Sequence, residues 1–177
     1  YILKNRYRKI TKNDYLDMIS KKTASLLQAS CLVGAVCAKA DKKAIQGLKN
    51  YGFNLGIIFQ IQDDILDMFG KEKDFGKKIG KDIEERKGGN IVLLFALEEL
   101  SKKERTRIFK IMSAQKITER NKEEIIVLIK KTNALKKSVM LGKRFIQKAK
   151  NSLKELPQNK WRKVLEEIAD FTLERSH

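Results

Sequence analysis

Apolar residues recur every three or four positions along most of the chain, a spacing that predicts amphipathic α-helices rather than strands. The longest predicted helices run from about Thr11, as N-cap, to Ala38, from Lys42 to Phe69, and from about 134 to Leu156. Shorter helices are predicted at about 91–100, 101–113, 121–131 and from Asn159 to Arg175. The predicted fold class is therefore all-α, a helical bundle in a single domain over residues 1–177.

Three glycines, Gly47, Gly52 and Gly56, lie inside the second long predicted helix. Each costs a helix roughly 1 kcal/mol relative to alanine. Their presence within an otherwise strong helical pattern indicates close contact with neighbouring helices rather than a break.

Three aspartates, Asp63, Asp64 and Asp67, lie near the end of the same predicted helix, and Asp63 and Asp67 share one helix face. Like charges at this spacing repel by roughly 0.2–0.5 kcal/mol per pair. A solvated acidic face is one explanation. The other is a site for a hard divalent cation such as Mg²⁺, which takes carboxylate oxygens together with phosphate oxygens. Gln60, four residues before Asp64, borders the same acidic edge.

The net charge favours anionic partners, because 39 Lys and Arg residues face 22 Asp and Glu residues and give a formal charge of +17. Nucleic acid, an acidic membrane surface and a phosphorylated substrate all fit this charge. The cations are spread along the chain, and one Trp and four Tyr provide no base-stacking ladder, so we expect no nucleic-acid partner.

No window of about 18 apolar residues is present, so we expect no membrane span, while peripheral association with a membrane stays open. The chain shows no signal-peptide pattern. Cys31 and Cys37 lack metal-ligand spacing, and we expect buried thiols in a reducing compartment. The predicted location is the cytoplasm, with an organelle as the alternative.

The segment from Phe59 to Asp67, FQIQDDILD, resembles the second aspartate-rich motif of the trans-prenyl diphosphate synthases, which include farnesyl, geranylgeranyl and long-chain polyprenyl diphosphate synthases. The match extends to the segments 22–26 and 51–56 and to Gly76, Lys77, Gly80, Asp82 and Lys87. The chain departs from the usual pattern at Gly88-Gly89-Asn90-Ile91, where members commonly have Thr or Ser followed by Leu-Pro. This departure concerns the start of the next helix more than the chemistry.

The resemblance implies part of the isoprenoid synthase fold, since the N-terminal helices that carry a first aspartate-rich motif are absent from this chain. Members are considerably longer, and the residues that bind the second substrate are also missing. We therefore expect a C-terminal portion of a polyprenyl diphosphate synthase, a fragment that is inactive alone. A genuinely short, non-catalytic subunit is the alternative.

The resemblance also implies roles for individual residues. Catalytic roles fall to Lys22 and Lys77. The substrate diphosphate is held by Lys22, Thr23, Gln60, Lys77 and Lys87, and Mg²⁺ bridged by that diphosphate is held by Asp63, Asp64 and Asp67. We expect Asp63 to contact the metal directly, and Asp64 and Asp67 to act through metal-bound water or hydrogen bonds. Lys78 is an alternative to Lys77, and residues 70–90 are expected to form a lid.

The implied activity joins an allylic diphosphate to isopentenyl diphosphate and yields a longer trans-polyprenyl diphosphate, and the implied assembly is a homodimer. A class I terpene cyclase is one alternative, although such enzymes usually carry an Asn/Asp-Ser-Glu metal motif where this chain has DDILD. A helical subunit that stabilises a catalytic partner, and a basic nucleic-acid binder, are the others.

Overall fold

The computed structural model describes residues 10–70, 79–87 and 89–175. These residues form helices and turns, and no strand occurs among them, so the all-α prediction is confirmed. The α-helices are α1 (Lys12–Ile19), α2 (Ser25–Cys37), α3 (Lys42–Phe69), α4 (Lys81–Glu84), α5 (Ile91–Glu99), α6 (Lys102–Met112), α7 (Glu119–Lys130), α8 (Ala134–Ser152) and α9 (Lys160–Glu174).

The chain forms two compact units. One contains the described residues up to Tyr15 together with Asp63–Ser138, and the other contains Leu16–Gln62 and Val139–Arg175. The prediction of a single domain over 1–177 stays a prediction. Among the described residues, no helix is long and apolar enough to cross a bilayer.

The first predicted helix begins as expected, because the Thr11 hydroxyl accepts from the Asp14 N–H and the Asp14 carboxylate accepts from the Thr11 N–H. It is not one uninterrupted α-helix, however. A π-helical turn at Ser20–Ala24 separates α1 from α2, and the Ser25 N–H bonds to the carbonyl of Ser20. Isolated π turns inside helices occur frequently at functional sites, and this one contains Lys22 and Thr23.

Two other boundaries differ from prediction for local reasons. The helix α7 begins at Glu119 rather than at Asn121, because Thr118 and Asn121 form a reciprocal capping box. The helix α8 ends at Ser152, and the backbone continues through turns before Pro157. The expectation of two buried thiols is wrong for Cys37, which is exposed at the end of α2, while Cys31 is half-buried.

The glycines of α3 meet neighbouring backbone, as the sequence predicts. A Cβ on Gly56 would lie 2.5 Å from the Ala24 Cα, and one on Gly52 would lie 2.5 Å from the Leu27 carbonyl oxygen. A Cβ on Gly47 would lie 2.6 Å from the Ser152 carbonyl oxygen. These distances leave no room for a side chain, so helix proximity explains why α3 keeps its glycines.

We expect Gly56→Ala to destabilise the protein by about 1–3 kcal/mol, because overpacking outweighs the gain in helix propensity. The matched control is Gly34→Ala in α2, where a Cβ would meet nothing within 4 Å. This control should stabilise the protein by up to about 1 kcal/mol. Urea denaturation measures both changes, and equal effects of the two substitutions would contradict the packing explanation.

Candidate metal and diphosphate site

The carboxylate of Asp64 caps the N-terminus of α5. Asp64 is 2% exposed, and its Oδ2 accepts from the Ile91 N–H at 2.8 Å. The first N–H groups of a helix have no partner within it, and a negative charge is stabilised beside them. Asp64 therefore joins the end of α3 to the start of α5.

Asp67 makes a similar connection one turn further along α3. Its Oδ1 accepts from the Lys81 N–H at 3.0 Å, and its Oδ2 accepts from the Asp82 N–H at 3.2 Å. The Gly80 N–H donates to the Asp67 carbonyl at 2.7 Å. Gly80 has a φ of 74°, in the left-handed region that favours glycine, and so lets the chain turn into α4 at this point.

Burial raises the pKa of Asp67 to about 7, and the negative charge of Asp82 adds to the rise. The backbone N–H groups of Asp82 and Lys81 act in the opposite direction but do not cancel it. Asp67 is 9% exposed, so its charged form loses most of its solvation. The acidic end of α3 is therefore under electrostatic strain when every carboxylate is ionised.

Asp63 differs from the other two aspartates of the motif. It is only half-buried, and within the described part of the chain its carboxylate has no hydrogen bond or ion pair. Its negative charge contributes to the raised pKa of Asp67. Among the described residues, Asp63 is thus the carboxylate of this motif whose oxygens have no protein partner.

Asp82 and Tyr15 join this acidic cluster, although the sequence did not single them out as site residues. The Asp82 carboxylate contacts Lys87, with Nζ to Oδ1 at 3.3 Å. Tyr15 is fully buried, and burial followed by the charge of Asp64 raises the pKa of its hydroxyl well above its usual value. Asp82 could have been identified from its place in the extended motif. Tyr15 could not, because its sequence position indicates only a core residue.

The ammonium group of Lys87 forms ion pairs with two nearby carboxylates, those of Glu85 and Asp82. Its Nζ lies 2.5 Å from Glu85 Oε2 and 3.3 Å from Asp82 Oδ1. Burial alone would lower the pKa of Lys87, but the bond to Glu85 and the charge of Asp82 outweigh it and raise the pKa. The ammonium is therefore charged and positioned beside Asp82.

In the other unit, Thr23 and Gln60 are brought together. The Thr23 hydroxyl lies 2.9 Å from Gln60 Oε1 and donates to it, which joins the π-helical turn to α3. Lys22 in the same turn is exposed. Of the remaining predicted residues, Lys77 and its alternative Lys78 lie outside the described residues.

Within the described ranges, no group of three or more His, Cys, Asp or Glu side chains is arranged to hold a metal ion by itself. The donor chemistry nevertheless suits a hard cation, since Asp63 offers carboxylate oxygens. Magnesium is usually bound in enzymes by one or two carboxylates, with water and substrate phosphates as the remaining ligands. The assignment of Asp63, Asp64 and Asp67 to the metal stays a prediction.

Comparison with known proteins agrees with the sequence and the fold. The short chain isoprenyl diphosphate synthase of Methanocaldococcus jannaschii is 38% identical over 165 residues, which are 93% of this chain and 49% of that protein. Heptaprenyl diphosphate synthase component 2 of Bacillus subtilis is 35% identical over 159 residues, 89% of this chain and 44% of that protein. The chain thus spans about half the length of the curated relatives it matches.

Solved structures of prenyl diphosphate synthases also match nearly all of this chain and about half of their own length. A polyprenyl synthase from Caulobacter crescentus, crystallised with calcium and isoprenyl diphosphate, is 32% identical and superposes with a TM-score of 0.91 over 99% of this chain and 53% of that one. Geranylgeranyl pyrophosphate synthetase from Pyrococcus horikoshii is 35% identical, with a TM-score of 0.81 over 94% of this chain and 50% of that one. The predicted isoprenoid synthase fold is confirmed. A family model described as polyprenyl synthetase matches residues 2–129, and the chain belongs to this family.

Proposed function

We propose that this chain supplies the second metal- and diphosphate-binding half of a prenyltransferase. The enzyme would condense an allylic diphosphate with isopentenyl diphosphate to make a longer trans-polyprenyl diphosphate. The observation that carries this proposal is that the three aspartates at the end of α3 differ in their hydrogen-bond partners. Asp64 and Asp67 accept from backbone N–H groups, whereas the Asp63 carboxylate has no hydrogen bond or ion pair with the residues that the structure describes.

Mg²⁺ is the proposed cofactor, held by Asp63 and by diphosphate oxygens, with Asp64 and Asp67 in supporting positions. The Caulobacter crescentus protein was crystallised with calcium and isoprenyl diphosphate, which supports a hard divalent cation and a diphosphate as ligands here. When bound, the metal would act as a Lewis acid that stabilises the departing diphosphate.

The cationic side chains would hold the diphosphate oxygens that the metal does not reach. Lys22, Lys77 and Lys87 are proposed for this task, because charge-assisted bonds to phosphate are stronger than neutral hydrogen bonds. Lys87 would exchange a carboxylate partner for a phosphate oxygen when the substrate binds. Thr23 and Gln60 already contact each other and would orient the same group from the π-helical turn.

In the proposed reaction the carbon–oxygen bond of the allylic diphosphate breaks, a carbon–carbon bond forms to isopentenyl diphosphate, and a proton is lost from the product. Breaking the carbon–oxygen bond forms an allylic cation, which water would attack before isopentenyl diphosphate could react. Tyr15, Asp64 and Asn90 are buried beside the acidic end of α3, and such buried surroundings would limit the access of water to the cation.

We propose a homodimer as the assembly, by analogy with the family. A subunit of a two-component enzyme is the second candidate, and it is favoured by the name of the Bacillus subtilis relative, heptaprenyl diphosphate synthase component 2. A non-catalytic subunit would co-purify with a partner and bind no Mg²⁺. The proposed location is the cytoplasm, with an organelle or a membrane surface as alternatives.

The turnover assay supplies Mg²⁺, an allylic diphosphate and radiolabelled isopentenyl diphosphate to this polypeptide alone. We expect no chain-extended product, because the 177 residues contain no counterpart of the family's first aspartate-rich motif to complete the site. The same chain joined to any coding sequence upstream of Tyr1 that carries such a motif should extend the substrate.

Normal product from the chain alone would contradict the half-site argument. Cyclic hydrocarbons formed without incorporation of isopentenyl diphosphate would identify a terpene cyclase instead.

The raised pKa of Asp67 gives the site a pH signature in the absence of divalent ions. The unfolded chain releases this proton near 3.8, whereas the folded chain keeps it to about 7. Between these values the folded state binds more protons, so this group makes the free energy of unfolding fall as pH rises, with a plateau above about 7.

Asp67→Asn should flatten that part of the stability curve, which urea denaturation measures between pH 4.5 and 8. The matched control is Asp17→Asn, an exposed aspartate on α1 paired with Lys21. Identical pH slopes for the parent and the Asp67→Asn variant would contradict a raised pKa at this position.

A further inference from the structure

Asn90 stands immediately before α5 and is fully buried. Its side-chain oxygen accepts from the Val92 N–H at 2.9 Å and from the Leu93 N–H at 3.3 Å. This is the contact expected of an N-cap residue, and Ser, Thr and Asp side chains can provide it equally well.

The amide nitrogen of Asn90 makes a second set of contacts. It donates to the Asp64 carbonyl oxygen at 3.3 Å and to Asp82 Oδ2 at 3.0 Å. One side chain therefore links the end of α3, the helix α4 and the start of α5. Among the good N-cap residues only Asn combines an acceptor oxygen with two N–H donors, so the capping role alone does not explain this choice.

The bond to Asp82 reaches the acidic motif indirectly. Asp82 Oδ1 forms an ion pair with Lys87, and its Oδ2 accepts a hydrogen bond from the Asn90 amide. The backbone N–H of Asp82 donates to the Asp67 carboxylate. The amide thus fixes the carboxylate whose charge bears on Asp67, and it fixes the backbone of Asp64 next to Asp63. A change at Asn90 would thus remove one hydrogen bond to the backbone of Asp64, next to Asp63, and one to the Asp82 carboxylate, without altering Asp63 itself.

We propose that Asn90 is a positioning residue for the metal and diphosphate site, and that its amide donor sets the affinity of the site for a cation bound together with diphosphate. This inference rests on the proposed function. It assigns Asn90 no contact with substrate or metal.

The test compares Asn90→Thr with the parent chain. Threonine keeps the neutral N-cap oxygen but has no amide donor that spans to both Asp64 and Asp82. Calorimetric titration of the folded chain with Mg²⁺ in the presence of inorganic pyrophosphate measures the affinity. We expect Asn90→Thr to weaken it by at least about tenfold, since the loss of outer-shell partners typically lowers metal affinity by that amount.

Asn159→Thr is the matched control. Asn159 caps α9 through its Oδ1, which accepts from the Trp161 and Arg162 N–H groups at 3.0 Å each. It is exposed and belongs to the other compact unit. The same substitution there replaces the Asn of an equivalent cap and keeps an N-cap oxygen, so it should leave the affinity for Mg²⁺ and pyrophosphate unchanged.

A measurement on the parent chain guards against a variant that fails to fold. The side-chain amide resonance of Asn90 should shift in nitrogen-edited spectra when Mg²⁺ and pyrophosphate are added, while that of Asn159 stays fixed.

Two outcomes overturn the inference alone: an Asn90→Thr affinity within twofold of the parent, or an Asn90 amide resonance that does not move while the parent binds. If the parent chain itself binds no Mg²⁺ with pyrophosphate, the proposed function fails and this inference fails with it.

Discussion

The candidate site depends on bonds between two carboxylates of one helix and the backbone N–H groups of the segments that follow. Asp64 accepts from the first residue of α5, and Asp67 accepts from the first turn of α4. Bonds to a charged acceptor are stronger than neutral ones, and each of these is shielded from water. They fix the end of α3 against the chain that returns to it, and so fix where Asp63 stands.

This arrangement explains how a cluster of acids exists on a buried edge. The cluster contains four aspartates, Asp63, Asp64, Asp67 and Asp82, whose negative charges would repel one another if no other group stabilised them. The backbone dipoles of α4 and α5 stabilise two of them, Lys87 faces a third, and the pKa of Asp67 still rises to about 7. A bound divalent cation would relieve the remaining repulsion, which links the electrostatics of the cluster to its proposed function.

Much of the fold could be predicted from the sequence, because helical periodicity and capping residues are local signals. The Thr11 cap and the close contacts of the α3 glycines followed from residue type and spacing. The π-helical turn at Ser20–Ala24 did not follow, since no local preference distinguishes it from an α-helical turn. The turn does contain Thr23, whose hydroxyl donates to Gln60 in α3, a tertiary contact that residue spacing does not encode.

The acidic motif was visible in the sequence, and its resemblance to a family motif implied different roles for the three aspartates, but the backbone partners of Asp64 and Asp67 could not be predicted. Which carboxylate caps a helix depends on where residues 80–92 return, and this is a long-range property that spacing does not encode. Asn90 shows the same limit, because the sequence presents it as a departure from a family pattern. Only the structure shows that the side-chain oxygen of Asn90 accepts from the start of α5 while its nitrogen donates to Asp82.

The most direct measurement compares Asp63→Asn with Asp64→Asn in both stability and binding of Mg²⁺ with pyrophosphate. The account predicts that Asp63→Asn abolishes detectable binding while the free energy of unfolding changes by less than about 0.5 kcal/mol. It predicts that Asp64→Asn lowers the free energy of unfolding by at least about 1 kcal/mol, because a buried charge-assisted bond is weakened. Full binding by Asp63→Asn, or an Asp64→Asn variant as stable as the parent, would contradict the division of roles at the end of α3.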